Sequence, residues 1–68
     1  MERFSIVPTG GNARNLPYLI KELRQKSLIA GIEKDVGGDT VYLTHNMFAI
    51  KKIMEDYDGL MLDIHKSK

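Results

Sequence analysis

The sequence predicts an α+β fold, and two observations carry that prediction. Over 68 residues the spacing of apolar side chains changes in the order strand, helix, strand, strand, helix, strand. In addition, Gly37 and Gly38 separate two runs with a period of two, which indicates a tight hairpin between the second and third strands. Few compact arrangements bury every apolar face of so short a chain, so this order restricts the architecture strongly.

The first strand and the first helix are predicted on either side of a glycine-containing loop. Phe4 and Ile6 share one face of the strand, and Pro8 ends it because proline has no backbone N–H. After the loop, Asn15 is a candidate helix cap and Pro17 is tolerated in the first turn. The helix is expected to end near residues 26–27, and its buried stripe has helical spacing: Leu16, Leu19, Ile20 and Leu23.

The hairpin determines which side chains of the two middle strands face the core. A two-residue turn at Gly37 and Gly38 pairs Lys34 with Val41, and Ile32 with Leu43. Under that register the side chains predicted to face the core are Ala30, Ile32, Val41 and Leu43. Those predicted to face outward are Ile29, Glu33, Asp35, Thr40 and Tyr42.

A second helix and a last strand complete the chain. Thr44 or Asn46 is expected to cap the helix, which runs to about Asp56, and Gly59 supplies a left-handed stop. The buried stripe of this helix is predicted to be Met47, Ile50, Ile53, Met54 and Tyr57. In the last strand, the side chains predicted to face the core are Leu60, Leu62 and Ile64.

With right-handed crossovers, these elements form one domain over residues 1–68, a four-stranded antiparallel sheet with both helices on one face. This is the ferredoxin-like arrangement. Because that fold hosts many unrelated activities, it says little about function.

The composition argues against several classes of protein. Apolar residues at 43% and charged residues at 28% are ordinary for a globular domain. Because no apolar run approaches the ~20 residues of a membrane span and the N-terminus lacks a signal-peptide pattern, we expect a cytoplasmic protein without membrane contact. The absence of cysteine removes disulfides, thiolate nucleophiles and cysteine-ligated metals. A net charge of +1 is low for a dedicated nucleic-acid-binding protein.

Two aromatic side chains are predicted on the outer sides of their helices. Tyr18 lies opposite the stripe of the first helix, and Phe48 lies opposite that of the second, where Lys51 and Lys52 flank it. Aromatic residues concentrate at the centres of protein interfaces. Tyr18 and Phe48, together with the two lysines that flank Phe48, are therefore candidate partner-binding residues. The alternative is that each aromatic, placed in a first turn, packs onto the preceding loop and is buried.

The sheet face opposite the helices is another candidate surface. RNA-recognition domains of this topology place two or three aromatic side chains there for base stacking. Here Tyr42 is the one aromatic, and Glu33 and Asp63 repel phosphate, so Tyr42 and Met61 favour a protein partner or a second copy of the chain. The alternative is an ordinary solvated face. Its predicted members are Arg3, Ser5, Val7, Ile29, Glu33, Thr40, Tyr42, Met61, Asp63 and His65.

The loop between the first strand and the first helix is a candidate anion site. Gly10, Gly11 and Asn12 precede a helix whose free N–H groups and dipole attract anions, and Arg14 is close enough to assist. Neither a P-loop nor a dinucleotide-binding spacing is present, and Pro17 removes one donor. The alternative is that two glycines simply make a bend and a cap.

Other motifs predict no catalytic site, metal or cofactor. His45 and His65 lack metal-ligand spacing, and residues 56–59 resemble only part of a calcium loop, which a helix C-terminus explains better. The serines show no arrangement with His and Asp in the sequence: Ser5, Ser27 and Ser67.

The sequence therefore favours a small non-catalytic interaction module, an inhibitor or regulator that binds a protein partner, in keeping with an accessory protein of a phage or other mobile element. One alternative is a small-anion or nucleotide sensor that uses the Gly10–Gly11 loop. The other is a weak nucleic-acid binder, with these candidate basic residues: Lys21, Arg24, Lys51, Lys52 and the segment 65–68.

Overall fold

The computed structural model describes residues 1–66, so the predicted positions Ser67 and Lys68 lie outside the described residues. The strands are β1 (Glu2–Pro8), β2 (Gly31–Lys34), β3 (Thr40–Thr44) and β4 (Leu60–His65). The helices are α1 (Leu16–Gln25) and α2 (Met47–Met54), and a 3-10 helix occupies Gly10–Asn15, where the sequence predicted a loop. The fold is α+β, with one antiparallel sheet in the order β2-β3-β1-β4.

Both helices pack on the same side of the sheet as Phe4. The buried cluster combines that β1 side chain with two from α1 and three from α2: Phe4, Leu19, Leu23, Met47, Ile50 and Met54. All six were predicted to face the core. Burying a side chain of this size is worth roughly 1.5–3 kcal/mol relative to leaving it in water, so this cluster supplies the main stabilisation of so small a sheet.

The connection after α1 ends the helix with a left-handed residue. Ser27 has φ 58°, and the Leu28 N–H donates to the Leu23 carbonyl at 2.9 Å. This pattern satisfies the last free carbonyls of the helix and brings Leu28 back onto the core. The second strand starts at Gly31, so Ile29 and Ala30, which were predicted to lie in it, precede it. Ile29 packs against the core and Ala30 is exposed, which reverses the two predictions for these residues.

The β2–β3 hairpin has a three-residue loop, not the predicted two-residue turn. The Gly38 N–H donates to the Asp35 carbonyl and the Asp35 N–H donates to the Asp39 carbonyl, each at 3.0 Å. Gly38 has φ 85°, so the turn is type I followed by a left-handed residue. The Asp35 carboxylate accepts from the N–H groups of Gly37 and Asp39, both at 2.9 Å, and so stabilises the longer loop. Lys34 consequently pairs with Thr40.

This one-residue difference reverses the faces of β3. Tyr42 pairs directly with Phe4 and Ile32, and its ring centroid lies 5.6 Å from that of Phe4, so Tyr42 is on the helix side. The prediction that Tyr42 lies on the open face is therefore wrong. Val41 and Leu43, predicted to face the core, lie on the open face with Glu33 and Arg3. A strand has a side-chain period of two, which is why a single extra loop residue has this effect.

The cap of α2 and the turn before β4 agree with the sequence. Asn46 Oδ1 accepts from the Ala49 N–H at 3.1 Å, which makes Asn46 the cap of the two candidates, while Thr44 Oγ1 accepts from the Asn46 N–H at 3.0 Å. The helix ends at Met54, two residues before the predicted end. Gly59 has φ 79°, as a left-handed position requires, and it faces Asn12 of the 3-10 helix so closely that a Cβ there would lie 2.5 Å from the Asn12 Cβ.

Candidate functional site

The two helix aromatics predicted to face outward are exposed. Phe48 is 73% exposed and Tyr18 is 68% exposed, so neither is buried against the loop that precedes its helix. Because β1 and β3 are antiparallel, the helices that follow them run in opposite directions. Tyr18 and Phe48 both lie in first turns, so they are at opposite ends of the helical layer and do not form one patch.

Phe48 lies in a mixed apolar and cationic surface on α2. Lys51 and Lys52 follow it by three and four residues, the spacing that places helix side chains next to each other. Both lysines are exposed. We call Phe48, Lys51 and Lys52 the α2 surface. It combines an aromatic side chain with two positive charges that a negatively charged partner can approach.

The structure separates Tyr42 and Met61, which the sequence placed on one surface. Tyr42 packs under the helices, whereas Met61 lies on the open face beside its β1 partner Val7. Met61 is 53% exposed and Val7 is 38% exposed. The open face thus offers a small apolar pair at one end, without the aromatic side chain that the sequence predicted there.

The glycine loop offers an anion fewer donors than the sequence suggested. Gly10, Gly11, Asn12 and Arg14 are part of the 3-10 helix, which runs directly into α1. The Leu16 N–H at the start of α1 donates to the Ala13 carbonyl, so it is not free for a ligand. Asn15 turns its side chain away, and its Nδ2 donates to the Asp58 carbonyl at 3.1 Å. Anion binding by this segment remains a prediction.

A Ser, His and Asp meet on the open face, where sequence reasoning found no such arrangement. Ser5 Oγ lies 3.0 Å from His65 Nε2, and Asp63 Oδ2 lies 3.7 Å from the same nitrogen. In a nucleophilic triad the carboxylate instead binds the second ring nitrogen and so orients the base toward the serine. Here both partners meet Nε2 and Ser5 is 7% exposed, so the cluster is arranged for hydrogen bonding, not for nucleophilic attack.

The cluster borders a cleft of about 370 Å³ between the two central strands. One wall is formed by β1 and the start of α1, and its apolar members are Ile6, Val7, Pro8 and Leu16. The opposite wall is formed by Asp39 of the hairpin loop and by Thr40 and Tyr42 of β3. Ser5, Asp63 and His65 lie at the open face of the sheet. The cleft had no signal in the sequence because it depends on where the pairing of β1 with β3 stops.

Two further observations concern metals and membranes. Among residues 1–66, no three His, Cys, Asp or Glu side chains are grouped so that they could hold a metal ion. None of the helices in the described part of the chain is long and apolar enough to cross a bilayer.

Comparison with known proteins finds no match to this chain among protein-family models, curated proteins or solved structures.

Proposed function

We propose that this chain is a small, non-catalytic, cytoplasmic interaction module that binds a protein partner through the α2 surface. The observation that carries the proposal is the 73% exposure of Phe48 on a helix whose opposite side is buried. An aromatic side chain gains about 25 cal/mol for each Å² of apolar surface removed from water, so contact with a partner at this position is favourable. Aromatic side chains often act as such anchors at interface centres.

The charges beside Phe48 support a partner with an acidic patch. Lys51 and Lys52 are exposed on the same side of α2, and rim charges of this kind raise the association rate and select the partner. Counted from the opposite edge, the sheet order is β4-β1-β3-β2, which supports assignment to the ferredoxin-like fold.

The test is partner capture from the native host, followed by affinity measurement with purified components. We expect Phe48→Ala to weaken binding of the captured protein at least tenfold, about the loss that defines an interface anchor. The matched control is Val36→Ala, which truncates a fully exposed apolar side chain at the hairpin tip and is expected to bind normally. All variants should have an unchanged melting temperature.

Three results would contradict the proposal. The first is equal affinity of Phe48→Ala and the parent protein. The second is a loss of affinity in Val36→Ala as large as that in Phe48→Ala. The third is binding of DNA or RNA that decreases steeply with salt and is abolished by Lys51→Glu, because it would assign the lysines to a nucleic-acid surface.

A further inference from the structure

The cleft exists because the two central strands pair over only part of their length. β1 pairs with β3 over three residue pairs, from Glu2↔Thr44 to Phe4↔Tyr42. By contrast, β1 stays paired with β4 as far as Pro8↔Leu60, and β2 stays paired with β3 as far as Lys34↔Thr40. Each central strand is therefore held by its outer neighbour, while the space between them opens at one end of the sheet.

The register shows which backbone groups face this space. The Thr9 N–H donates to the Gly59 carbonyl on β4, and backbone groups alternate in direction along an antiparallel strand, so Ile6 and Pro8 direct theirs toward β3. The bond from Asp35 to Asp39 likewise directs the backbone groups of Thr40 toward β1. In the described chain the β1–β3 ladder stops before Ile6 and Thr40, and Pro8 has no N–H to continue it.

Backbone donors and acceptors inside a sheet need partners. An N–H or carbonyl removed from water without a hydrogen bond costs free energy comparable to a lost bond. The backbone groups that Ile6 and Thr40 direct into this cleft lie beyond the last β1–β3 pair, and an extended chain that adds to a sheet by strand pairing uses groups at such positions. The side chains of Leu16 and Tyr42 line the cleft next to them and offer apolar contact.

The cleft also carries negative charge. Asp39 lines it from the hairpin loop and Asp63 from β4, and within residues 1–66 its lining includes no Lys or Arg. The whole chain has a net charge of +1, so the negative character is local. Carboxylates at the rim of a concave site attract a cation more strongly than the same charges on a flat surface.

We propose that the β1–β3 cleft binds an extended peptide segment that carries a lysine or arginine side chain. The peptide backbone pairs with Ile6 and Thr40, and its cation lies between Asp39 and Asp63. A cleft of about 370 Å³ is near the lower end of the size range for ligand sites, so a few residues fill it. The site lies at the Thr40 end of β3, whereas α2 follows the Thr44 end. It is thus separate from the α2 surface, and either proposal can fail alone.

The test is an NMR titration of ¹⁵N-labelled protein with the blocked tripeptide acetyl-Val-Lys-Val-amide. We expect saturable shifts of the Ile6 and Thr40 amide signals. Acetyl-Val-Glu-Val-amide should leave them unchanged. Butylamine, which has the cation without the peptide backbone, should bind at least tenfold more weakly than the lysine peptide.

Variants test the two carboxylates. Asp39→Asn and Asp63→Asn should each weaken binding about two- to fivefold, the range for a solvent-exposed charge pair, and the double variant should bind tenfold or more weakly. The matched control is Glu55→Gln, an equal change of charge on an exposed residue after α2. An undisturbed spectrum in the absence of peptide shows that each variant is folded.

The proposal is overturned if the lysine peptide fails to shift Ile6 and Thr40 at millimolar concentration, or if the glutamate peptide binds equally well. It is also overturned if the double variant binds like the parent protein, or if butylamine binds as tightly as the peptide, because the backbone groups then play no part.

Discussion

Arg3 and Glu33 form an ion pair that crosses the third strand on the open face of the sheet. Arg3 Nη2 lies 2.9 Å from Glu33 Oε2, although the two residues belong to β1 and β2, which flank β3. Val41 lies on this face directly opposite Glu33 and is nevertheless fully buried. Arg3 pairs directly with Leu43 on this face, so we infer that its aliphatic stem and the ion pair help to shield β3 from water.

This relationship predicts different losses for the two partners. Glu33→Gln removes only the charge, and since the side chains are 37% and 48% exposed, we expect at most about 0.5 kcal/mol of destabilisation, smaller still in high salt. Arg3→Ala also removes the aliphatic stem that we infer to shield β3, and it should cost about 1 kcal/mol or more, largely independent of salt. Urea unfolding at low and high salt measures both. Equal, fully salt-sensitive losses would contradict the covering role of Arg3.

The Asp35 carboxylate is predicted to hold the hairpin in its three-residue form. It accepts two backbone hydrogen bonds, from Gly37 and Asp39. Asp35→Ala leaves both donors without their acceptor and should cost about 1–2 kcal/mol, whereas Asp35→Asn keeps an acceptor oxygen and should cost less. Thermal unfolding of the two variants compares them. If Asp35→Asn is as unstable as Asp35→Ala, the carboxylate does not act through these bonds.

Gly59 and Gly10 provide a matched pair for measuring close packing. Both have positive φ, 79° and 73°, so alanine carries a similar backbone penalty of roughly 1–2 kcal/mol at each. Around Gly10 a Cβ meets no atom within 4 Å, but at Gly59 it would lie 2.5 Å from Asn12 Cβ and 3.0 Å from the Thr9 carbonyl oxygen. Gly59→Ala should therefore be the more destabilising by at least 1 kcal/mol. Equal losses in denaturant unfolding would show that the 3-10 helix does not pack against Gly59.

Tyr57 is predicted to make stability depend on alkaline pH. Its hydroxyl donates to Glu22 Oε1 at 2.7 Å. This bond, with burial and the charges of Glu22 and Asp56, raises the Tyr57 pKa above its ordinary 10.0. The protonated form is favoured by folding, so the contribution is complete below about pH 10 and is lost as the pH rises through the raised pKa.

Comparison with Tyr57→Phe isolates this contribution. We expect the wild-type protein to be more stable than the variant by about 1 kcal/mol at pH 7 to 9, with the difference disappearing above the raised pKa. Other alkaline titrations are common to both proteins and cancel in the difference. A difference that grows with pH would contradict the assigned bond.

The elements that sequence predicted well are those with a long, self-consistent apolar period. The stripes of α1 and α2 needed only helical spacing, and β1 and β4 alternate strictly, so the faces of these strands follow without knowledge of their partners. Ile64, predicted to face the core, lies on the helix side of β4 but is 38% exposed. The exposure of Tyr18 and Phe48 follows from the same periodicity.

The prediction of which face of β3 is buried was wrong because a single residue of loop length decides it. Asp35 at the first position of the turn and Gly38 at the fourth are typical of a type I turn, but the adjacent Gly37 equally suits a two-residue turn. The choice between the two turns depends on the hydrogen bonds that the Asp35 carboxylate accepts and on how Tyr42 packs beside Phe4.

The Ser5–His65 contact could not be found from local spacing either. These residues are 60 positions apart, and only the pairing of β1 with β4 brings them together.

The register of the hairpin decides which side chains of β3 are buried, which are exposed and where the cleft opens. Non-hydrogen-bonded partners in an antiparallel pair have Cα atoms about 4.5 Å apart, so their Hα protons give a strong nuclear Overhauser effect. We predict such a signal between Ile32 and Tyr42, together with contacts between the rings of Tyr42 and Phe4. A strong Hα signal between Glu33 and Tyr42, which are the non-hydrogen-bonded partners in the register of a two-residue turn, with the Tyr42 ring free of contacts to Phe4, would contradict this register.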